Sequence, residues 1–381
     1  MRCPKALQLF FLSAFFYSAI FCQSKSKYYL LIGGYTKQTN DNGIAVYEFN
    51  AKDGSLKYRS AVSGIDNPSY LAISNNSSRV YAVSEKGKVE GTVISYSFDR
   101  SKGILKMLNE VRSGGKGPCY ISTDGNNQHV FVANYGDGSI TAIRVNKNGS
   151  LDSTGIQTIQ HTGSGIDKDN QAGPHAHSIV SSADNQFALS ADLGSDRIYI
   201  YHYDAAKRTP LIPSDPEFVS VTPGSGPRHI CFHPNGNYIY VVNEIAGSID
   251  VFSYKEGSLK EKQLISMLPE GYHGIIEAAD IHISPDGKYL YASNREERNE
   301  IIIYAIKEDG TLTFIDRQPV MGIAPRNFAI DPTGKFLLVA NMKTNEVVVF
   351  NRNVGTGLLR FAGKKINRAA PACLKFLGVA H

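Results

Sequence analysis

The stretch Gly226–Asn243, GPRHICFHPNGNYIYVVN, decides the fold because similar stretches recur along the chain. Two close copies are ADIHISPDGKYLYASN at residues 279–294 and APRNFAIDPTGKFLLVAN at residues 324–341. In each copy an alternating segment is followed by a turn with proline and glycine and then by a second strand-like segment, which is the pattern of a β-hairpin. Weaker copies begin at Ser69, Cys119 and His177. The chain is therefore predicted to consist of one repeated structural unit.

A second hairpin completes each unit. Ser248–Tyr254 and Glu346–Phe350 are further strand-like segments, and glycine-containing turns such as Asp53–Leu56 recur between such segments. The unit is therefore four antiparallel strands over about 50 residues, which is the size of one blade of a β-propeller. A β-solenoid is the structural alternative, but its repeat would be much shorter.

The two ends of the chain are expected to complete the ring. Six inner strands are complete, whereas the repeats begin with a second strand, Tyr29–Gly33, and end with a lone inner strand, Ala372–Leu377. Pairing these two strands would complete a seventh blade and remove an exposed sheet edge. The sequence thus predicts an all-β, seven-bladed β-propeller with four antiparallel strands per blade, closed by its N- and C-terminal strands, in a single domain over residues 25–381.

The first residues have the pattern of a secretory signal peptide. Arg2 and Lys5 precede the mostly apolar run Ala6–Phe21, and a polar stretch follows. We expect residues 1–24 to be a signal peptide, cleaved near residues 22–24, so that the mature chain is exported to the periplasm. An uncleaved membrane anchor is less favoured because the run is short for a membrane span. Lipid attachment at Cys22 is less favoured because a bulky residue precedes it.

Composition argues against several kinds of partner and ligand. The net charge is only +5 and no long basic stripe is present, so nucleic acid is not an expected partner. The cysteines beyond the leader lie far apart without metal-ligand spacing, so we expect buried thiols; they are Cys119, Cys231 and Cys373. His175 and His177 are two residues apart, but no third ligand with suitable spacing is evident. We therefore expect no metal and no cofactor, and a monomer without a membrane span after cleavage.

The repeat also provides an internal alignment that separates structural positions from functional ones. The residue at the end of the second strand is small and polar in each copy, which indicates a role in the turn: Ser84, Asn134, Asp192, Asn243, Asn294 and Asn341. The residue after it varies: Glu85, Tyr135, Leu193, Glu244, Arg295 and Met342. The residue that starts the first strand also varies: Ser69, Cys119, His177, Arg228, Ala279 and Arg326. Variation toward charge makes these two positions candidates for function.

The two variable positions are expected to meet at one mouth of the central channel. The first strand starts, and the second ends, at the same end of an antiparallel pair, and both strands lie nearest the axis. The charged residues at these positions are His177, Arg228, Glu244, Arg295, Arg326 and Glu85, and close to them in sequence are His175, His229, Asp280 and His282. One alternative is that these residues form solvated ion pairs with one another and bind no ligand. So many charges on one concave surface nevertheless favour a site for an anionic ligand.

Several short motifs resemble those of the seven-bladed propeller lactonase family. They are GGYT at residues 33–36, GPHAHS at 173–178, ADLG at 191–194, GPRH at 226–229, VNE at 242–244 and SNR at 293–295. The similarity extends from Tyr28 to Leu377. The family includes the propeller type of 6-phosphogluconolactonase and the fungal carboxy-muconate lactonising enzyme. The resemblance implies that the functional residues of the family correspond to His177, Arg228, Glu244 and Arg295.

The resemblance predicts an enzyme that hydrolyses a sugar-acid lactone. We expect Glu244 or His177 to act as the general base. Arg228 and Arg295 would hold a phosphate or carboxylate and stabilise the oxyanion. No serine nucleophile motif is evident, which favours direct attack by water. The residues expected to bind substrate are His175, His229, Arg326, Glu85, Asp280 and His282.

The substrate and two other classes of function stay open. The phosphogluconate pathway is cytosolic whereas this chain has an export signal, so the substrate is either 6-phosphogluconolactone or a related aldonolactone, phosphorylated or carboxylated. A non-catalytic propeller would instead bind an anionic sugar or a protein at its mouth. A muconate-type cycloisomerase would use the same residues to form a different product. Acid release from a lactone distinguishes a hydrolase from both alternatives.

Overall fold

The described part of the chain consists of seven four-stranded antiparallel sheets. The structure is a computed structural model that describes residues 26–36 and 43–378. Every helix or strand assigned within these two ranges is a β-strand, which confirms the all-β prediction.

The strands follow one another in chain order, one sheet after the next. The first sheet contains β1 (Lys27–Gly34), β2 (Ile44–Asn50) and β3 (Ser55–Val62). The second contains β4 (Leu71–Ile73), β5 (Arg79–Ser84), β6 (Glu90–Asp99) and β7 (Ile104–Lys116), and the third β8 (Pro118–Thr123), β9 (His129–Asn134), β10 (Ser139–Val145) and β11 (Leu151–Gln160). The fourth contains β12 (Ala176–Ser181), β13 (Phe187–Asp192), β14 (Arg197–Tyr203) and β15 (Leu211–Ser220), and the fifth β16 (Pro227–Phe232), β17 (Tyr238–Asn243), β18 (Ser248–Lys255) and β19 (Ser258–Ser266). The sixth contains β20 (Ala278–Ile283), β21 (Tyr289–Asn294), β22 (Glu300–Ile306) and β23 (Leu312–Pro319), and the seventh β24 (Pro325–Ile330), β25 (Phe336–Asn341), β26 (Glu346–Arg352) and β27 (Leu359–Asn367). The last strand, β28 (Pro371–Gly378), returns to the first sheet.

The two ends of the chain close the ring as predicted. β28 pairs with β1, with Tyr28 opposite Gly378 and Leu31 opposite Lys375. In the first sheet the order β28-β1-β2-β3 therefore matches the order of the four strands in the other six sheets. The seven-bladed propeller with joined terminal strands is confirmed.

Apolar side chains packed between neighbouring blades form the core. Phe49 of the first blade packs edge to face against Phe336 of the seventh, with ring centroids 5.6 Å apart. The strand β25 is buried along its whole length, whereas the outer strand β27 is largely exposed or half-buried. Burial of each large apolar side chain adds roughly 1.5–3 kcal/mol to the free energy of unfolding. The inner strands, which end at the channel, therefore lie in the most tightly packed part of each blade.

A β-bulge lies near the start of the inner strands and sets the direction of the side chains there. In β8, β12, β16 and β24 the register skips one residue, which is Cys119, His177, Arg228 or Arg326 respectively. A bulge interrupts the alternation of side chains and redirects the bulged residue. The variable position at the start of the first strand is thus the bulged residue of each of these blades.

The predicted signal peptide falls on residues that the structure does not describe. Residues 1–25 include the expected cleavage region and Cys22. Within 26–36 and 43–378, the structure contains no helix with the length and apolar character of a membrane span. In those ranges Cys119, Cys231 and Cys373 are free thiols. The leader and the domain boundary at residue 25 stay predictions.

Candidate active site

One backbone hydrogen bond in each blade joins the two variable positions at the mouth. In the fifth blade the amide of Glu244 donates to the carbonyl of Gly226, two residues before the bulge, at 2.8 Å. Gly226 has a φ of 66°, a conformation that favours glycine, and an added Cβ would lie 2.7 Å from the side chain of Ile245. The equivalent donors in the other blades are Tyr35, Glu85, Tyr135, Leu193, Arg295 and Met342. The start of the first strand and the end of the second therefore meet in all seven blades, as the repeat predicted.

Glu244 lies between two arginines at this mouth. Arg228 Nε donates to Oε2 at 2.5 Å, and Arg295 Nη2 donates to Oε1 at 2.7 Å. Arg228 also donates from Nη1 to the carbonyl of Ala279, and Arg295 donates from Nε to the carbonyl of Glu277 at 3.2 Å. Each guanidinium is held by a carboxylate and a carbonyl, which fixes its orientation.

The same arginines keep Glu244 ionised. Burial opposes the charged carboxylate, but Arg295, Arg228 and Arg326 outweigh it and lower the pKa of Glu244 to about 2. Two guanidiniums and one carboxylate have a net positive charge, so they favour an anion or a developing oxyanion beside them. A carboxylate with so low a pKa is a weak general base near neutral pH.

Arg326 adds a further positive charge at the mouth. Its guanidinium lies 5.3 Å from the ring centroid of Tyr35, and the hydroxyl of Tyr35 donates to Glu85 Oε2 at 3.2 Å. Burial opposes the charge of Arg326, but Tyr35 and Glu85 raise the pKa of Arg326 above its ordinary value. Among the described residues no carboxylate forms an ion pair with Arg326. Its charge is therefore available to a ligand.

His177 is a neutral histidine on the wall of the mouth. Its Nδ1 lies 3.8 Å from Cys119 Sγ, and its ring centroid lies 5.4 Å from that of Tyr135. Burial and then the charges of Arg228 and His229 lower the pKa of His177 well below its ordinary value. A neutral imidazole has a free lone pair and can accept a proton from water.

His175 supports the wall that Tyr135 forms. Its Nδ1 donates to the carbonyl of Tyr135 at 2.7 Å, and the two rings stack with centroids 4.5 Å apart. Its backbone amide donates to Asp192 Oδ1 at 2.9 Å. Asp192 occupies the small polar position at the end of the second strand, so it has the turn-binding role that the repeat indicated. Direct binding of substrate by His175 stays a prediction.

His229, Asp280 and His282 form a column below the mouth instead of part of its surface. Asp280 Oδ1 lies 2.7 Å from His229 Nδ1, and Asp280 Oδ2 lies 2.9 Å from His282 Nε2. The side chains of His229 and Asp280 are only 5% and 1% exposed. His282 lies further along β20, toward the opposite end of the channel. Direct binding of substrate by these three residues stays a prediction, and within the structure Asp280 binds both histidines.

A cleft of about 250 Å³ lies beside Glu244. Two connections between blades contribute Asn170 and Ile275 to its walls. The other lining residues are Tyr135, Leu193, Ile245, Ile276 and Glu277. The cleft combines a charged side with an apolar side, which suits a small polar molecule that has a carbon skeleton.

Tyr35 is a mouth residue that the sequence comparison missed. Its amide donates to the carbonyl of Ala370 at 3.0 Å, which is the first blade's copy of the bond made by Glu244. The sequence did contain the pattern that identifies this position, because Tyr35 directly follows β1, the second strand of that blade. The first blade is split between the two ends of the chain, however, so its copy was not aligned with the other six.

The mouth contains the groups that water addition to a carbonyl requires. His177 offers a neutral base, and the guanidiniums of Arg228 and Arg295 offer fixed donors for an oxyanion. Burial raises the pKa of Cys119 to about 12, so this cysteine is an uncharged thiol and a poor nucleophile. In the part of the chain that the structure describes, no group of three or more His, Cys, Asp or Glu residues could hold a metal ion.

Known proteins resemble this chain across the whole propeller. The family described as "Lactonase, 7-bladed beta-propeller" matches residues 29–376. A 6-phosphogluconolactonase of Formosa agariphila is 39% identical over 360 residues, which cover 92% of this chain and 100% of that protein. A 6-phosphogluconolactonase of Bacillus subtilis is 32% identical over 354 residues, which cover 92% of this chain and 99% of that protein.

Two solved structures are also similar to this chain over nearly its whole length. A putative 6-phosphogluconolactonase from Bacteroides fragilis is 38% identical with a TM-score of 0.88, covering 93% of this chain and 99% of that chain. A periplasmic gluconolactonase from Pseudomonas aeruginosa is 34% identical with a TM-score of 0.89, covering 93% of this chain and 100% of that chain. All seven blades are therefore shared with these relatives.

Proposed function

Because this chain belongs to the lactonase family of seven-bladed β-propellers, we propose that its mouth is where water opens the ring of a sugar lactone. Proteins similar to it over more than nine-tenths of its length are 6-phosphogluconolactonases or a gluconolactonase. The chain is accordingly a hydrolase of sugar lactones. The observation that supports this site most directly is the Arg228–Glu244–Arg295 group, because it presents fixed positive donors at a concave surface.

His177 is the general base of this proposal. Glu244 is a poor choice because both of its carboxylate oxygens already accept hydrogen bonds from Arg228 and Arg295, and nearby arginines lower its pKa to about 2. His177 is neutral, and none of the described residues forms a hydrogen bond with its Nε2. That nitrogen is therefore free to accept a proton from an attacking water.

Arg228 and Arg295 stabilise the oxyanion. No described residue accepts a hydrogen bond from Nη2 of Arg228. Nη1 of Arg295 lies 3.6 Å from the half-exposed carboxylate of Glu277, and none of the described residues accepts a hydrogen bond from it. These two nitrogens are the donors left for the carbonyl oxygen of a lactone, and the role of Glu244 is to hold the two guanidiniums in place.

The proton balance follows from these roles. Water adds to the lactone carbonyl carbon while His177 takes one of its protons, which leaves a tetrahedral oxyanion beside the arginines. The bond from that carbon to the ring oxygen then breaks, and the imidazolium of His177 returns the proton to the leaving alkoxide. One water is consumed and an open-chain hydroxy acid is released.

The substrate is proposed to be 6-phosphogluconolactone or a closely related aldonolactone. The named relatives support the phosphorylated substrate. Export of the mature chain, supported by the leader pattern and by one relative described as periplasmic, supports an unphosphorylated one. Arg326 is proposed to contact the anionic end of a phosphorylated or carboxylated substrate, with Glu85 and Tyr35 beside it.

Base uptake at constant pH by the purified chain of residues 25–381 tests this function. The substrates are 6-phosphogluconolactone, gluconolactone and a panel of other aldonolactones, with spontaneous hydrolysis subtracted. We expect acceleration by the wild type and a loss of roughly 10²–10³-fold in Glu244→Gln, because the oxyanion donors lose their anchor.

Glu300→Gln is the matched control. Glu300 is also a buried carboxylate between two arginines, 3.0 Å from both Arg298 Nε and Arg317 Nη1. It starts β22, the third strand of its blade, and so lies one strand further from the central axis than the residues of the site. It should keep full turnover. Absence of acceleration on every lactone would contradict the function, and equal losses in both variants would contradict the site.

A further inference from the structure

A buried hydrogen-bonded pair lies directly under the mouth, at the centre of the channel. We propose that His229 and Asp280 are positioning residues that orient the guanidinium of Arg228 for the reaction. This role rests on the proposed function of Arg228, but the arrangement itself is a property of the fold.

The contacts form an unbroken chain. Asp280 Oδ1 lies 2.7 Å from His229 Nδ1, and His229 Nε2 lies 3.2 Å from Arg228 Nη1. Arg228 Nε in turn donates to Glu244 at 2.5 Å. Each member of the chain except Glu244 is buried. Water therefore has little access to these polar atoms and cannot easily replace one partner of a hydrogen bond.

Only one tautomer of His229 satisfies this chain. Arg228 Nη1 is always a donor, so His229 Nε2 must accept and carry no proton. The proton then lies on Nδ1, where it is donated to the Asp280 carboxylate. Burial and the charge of Arg228 lower the pKa of His229 to about 4, which keeps the ring neutral. Asp280 thus fixes the tautomer, and the tautomer fixes the acceptor for Arg228.

Asp280 is itself held by several donors. His282 Nε2 and Asn327 Nδ2 lie 2.9 Å and 2.5 Å from its Oδ2, and the amide of Phe328 lies 3.3 Å from the same oxygen. Burial opposes its charge, but His282 and His229 lower the pKa of Asp280 well below the ordinary value. The carboxylate therefore stays ionised and acts as a pure acceptor for His229.

The orientation of Arg228 decides which nitrogen reaches the mouth. Nε binds Glu244, and Nη1 binds both His229 and the carbonyl of Ala279. Nη2 is the nitrogen that remains for substrate. Loss of the acceptor on His229 would let the guanidinium rotate and would misdirect Nη2.

His229 also has a packing role, which the test must separate from positioning. The rings of Tyr70 and Tyr120 lie 5.6 Å and 5.1 Å from the ring of His229. A substitution that empties this space would destabilise the propeller whatever its effect on Arg228.

Two substitutions of His229 separate the two roles. The amide of glutamine can replace Nε2 and accept from Arg228, whereas the shorter amide of asparagine can replace Nδ1 and donate only to Asp280. We expect His229→Gln to retain kcat within a few-fold, and His229→Asn to lose about tenfold to a hundredfold in kcat with a smaller change in KM. Equal losses of kcat in the two variants would overturn the proposal.

Asp280→Asn tests the tautomer directly. An asparagine amide that donates to Nδ1 moves the proton of His229 to Nε2, where it faces the donor of Arg228. Nitrogen-15 NMR of histidine-labelled protein, with His229→Gln used for assignment, should show the Nδ1-protonated form in the wild type and its loss in Asp280→Asn. The Nε2-protonated form in the wild type would overturn the proposal.

The controls keep this proposal distinct from the enzyme function. Asp124→Asn alters a buried aspartate that accepts backbone hydrogen bonds from Gln128 and His129 in another blade. Asp124→Asn should lower the melting temperature without the loss of kcat that is expected for His229→Asn. If the wild type hydrolyses no lactone, the proposed function fails, and the NMR result alone then decides whether His229 presents its acceptor to Arg228.

Discussion

Nη2 of Arg295 donates to Oε1 of Glu244 at 2.7 Å, and this hydrogen bond joins the fifth and sixth blades at the mouth. Oε2 of the same carboxylate accepts from Arg228. Glu244 is thus the counter-ion shared by two guanidiniums that would otherwise repel each other at a buried site. Removing one member of such a group leaves uncompensated charge, which is costly.

The stabilising effect of Glu244 should disappear in acid. Despite burial, Arg295 and Arg228 lower its pKa from 4.5 to about 2. A carboxylate with a lowered pKa stabilises the fold above its unfolded pKa, and this contribution is lost as the pH falls toward the folded pKa. We expect the melting temperatures of wild type and Glu244→Gln to differ most above about pH 5 and to converge as the pH falls from about 4.5 through about 2. A constant difference in thermal unfolding across this range would contradict the assignment.

Replacement of His177 should reduce kcat more than it changes KM. A general base contributes about 10²–10⁴-fold, so we expect His177→Gln to lose at least about a hundredfold in kcat. The pKa of His177 lies well below 6.5, so the wild-type rate should stay level from about pH 7.5 down to below 6.5 and decline only at lower pH.

A histidine at the other end of the channel provides the control for His177. His233 Nε2 lies 3.0 Å from the carbonyl of Gly287, and His233→Gln should keep the wild-type rate. Base uptake corrected for spontaneous hydrolysis gives both profiles. A decline of the wild-type rate centred near pH 6.5 would contradict the assignment of a buried, neutral His177 as the base.

The seven-fold architecture and the mouth follow from the repeat, because each copy can be aligned with the others. Glu244 and Arg295 fall at the equivalent position of neighbouring blades, and Arg228 falls at the other variable position of the fifth blade. The structure joins all three by hydrogen bonds at the mouth that the alignment predicted. Closure by β1 and β28 was predictable because each terminal strand lacked a partner in its own part of the sequence.

The depth of each residue in the channel did not follow from the repeat. In a regular strand Arg228 and His229 would point to opposite faces, but the bulge at Arg228 brings Nη1 within 3.2 Å of His229 Nε2. The sequence does not show which residue of the strand is bulged, so the burial of His229 and Asp280 below Arg228 could not be predicted. Ile275 could not be predicted as a lining residue because its connection has no counterpart in the other blades.

Arg326 should discriminate between phosphorylated and unphosphorylated lactones. Its guanidinium is charged and has no ion-pair partner among the described residues, so it can bind a phosphate. We expect Arg326→Gln to raise KM for 6-phosphogluconolactone at least about tenfold while KM for gluconolactone changes little.

The control for Arg326 is a neighbouring cation with a partner. Lys343 Nζ lies 2.6 Å from Glu296 Oε1, and Lys343→Gln should leave both KM values unchanged. Equal effects of Arg326→Gln on the two lactones would show that Arg326 does not bind the phosphate.

Removal of the last strand should prevent stable folding, whereas removal of the leader should not. β28 supplies the innermost strand of the first blade, where Cys373, Leu374 and Leu377 are buried and the amide of Leu374 donates to Asn327 Oδ1 at 2.7 Å. Losing these side chains and the pairing with β1 costs several kcal/mol, a large part of a typical total of about 5–15 kcal/mol. We therefore expect a chain that ends at residue 368 to be unfolded or rapidly digested by protease at room temperature. A chain that begins at residue 25 keeps β1 and should melt at the wild-type temperature, and a protease-resistant chain without β28 would refute closure as a requirement for stability.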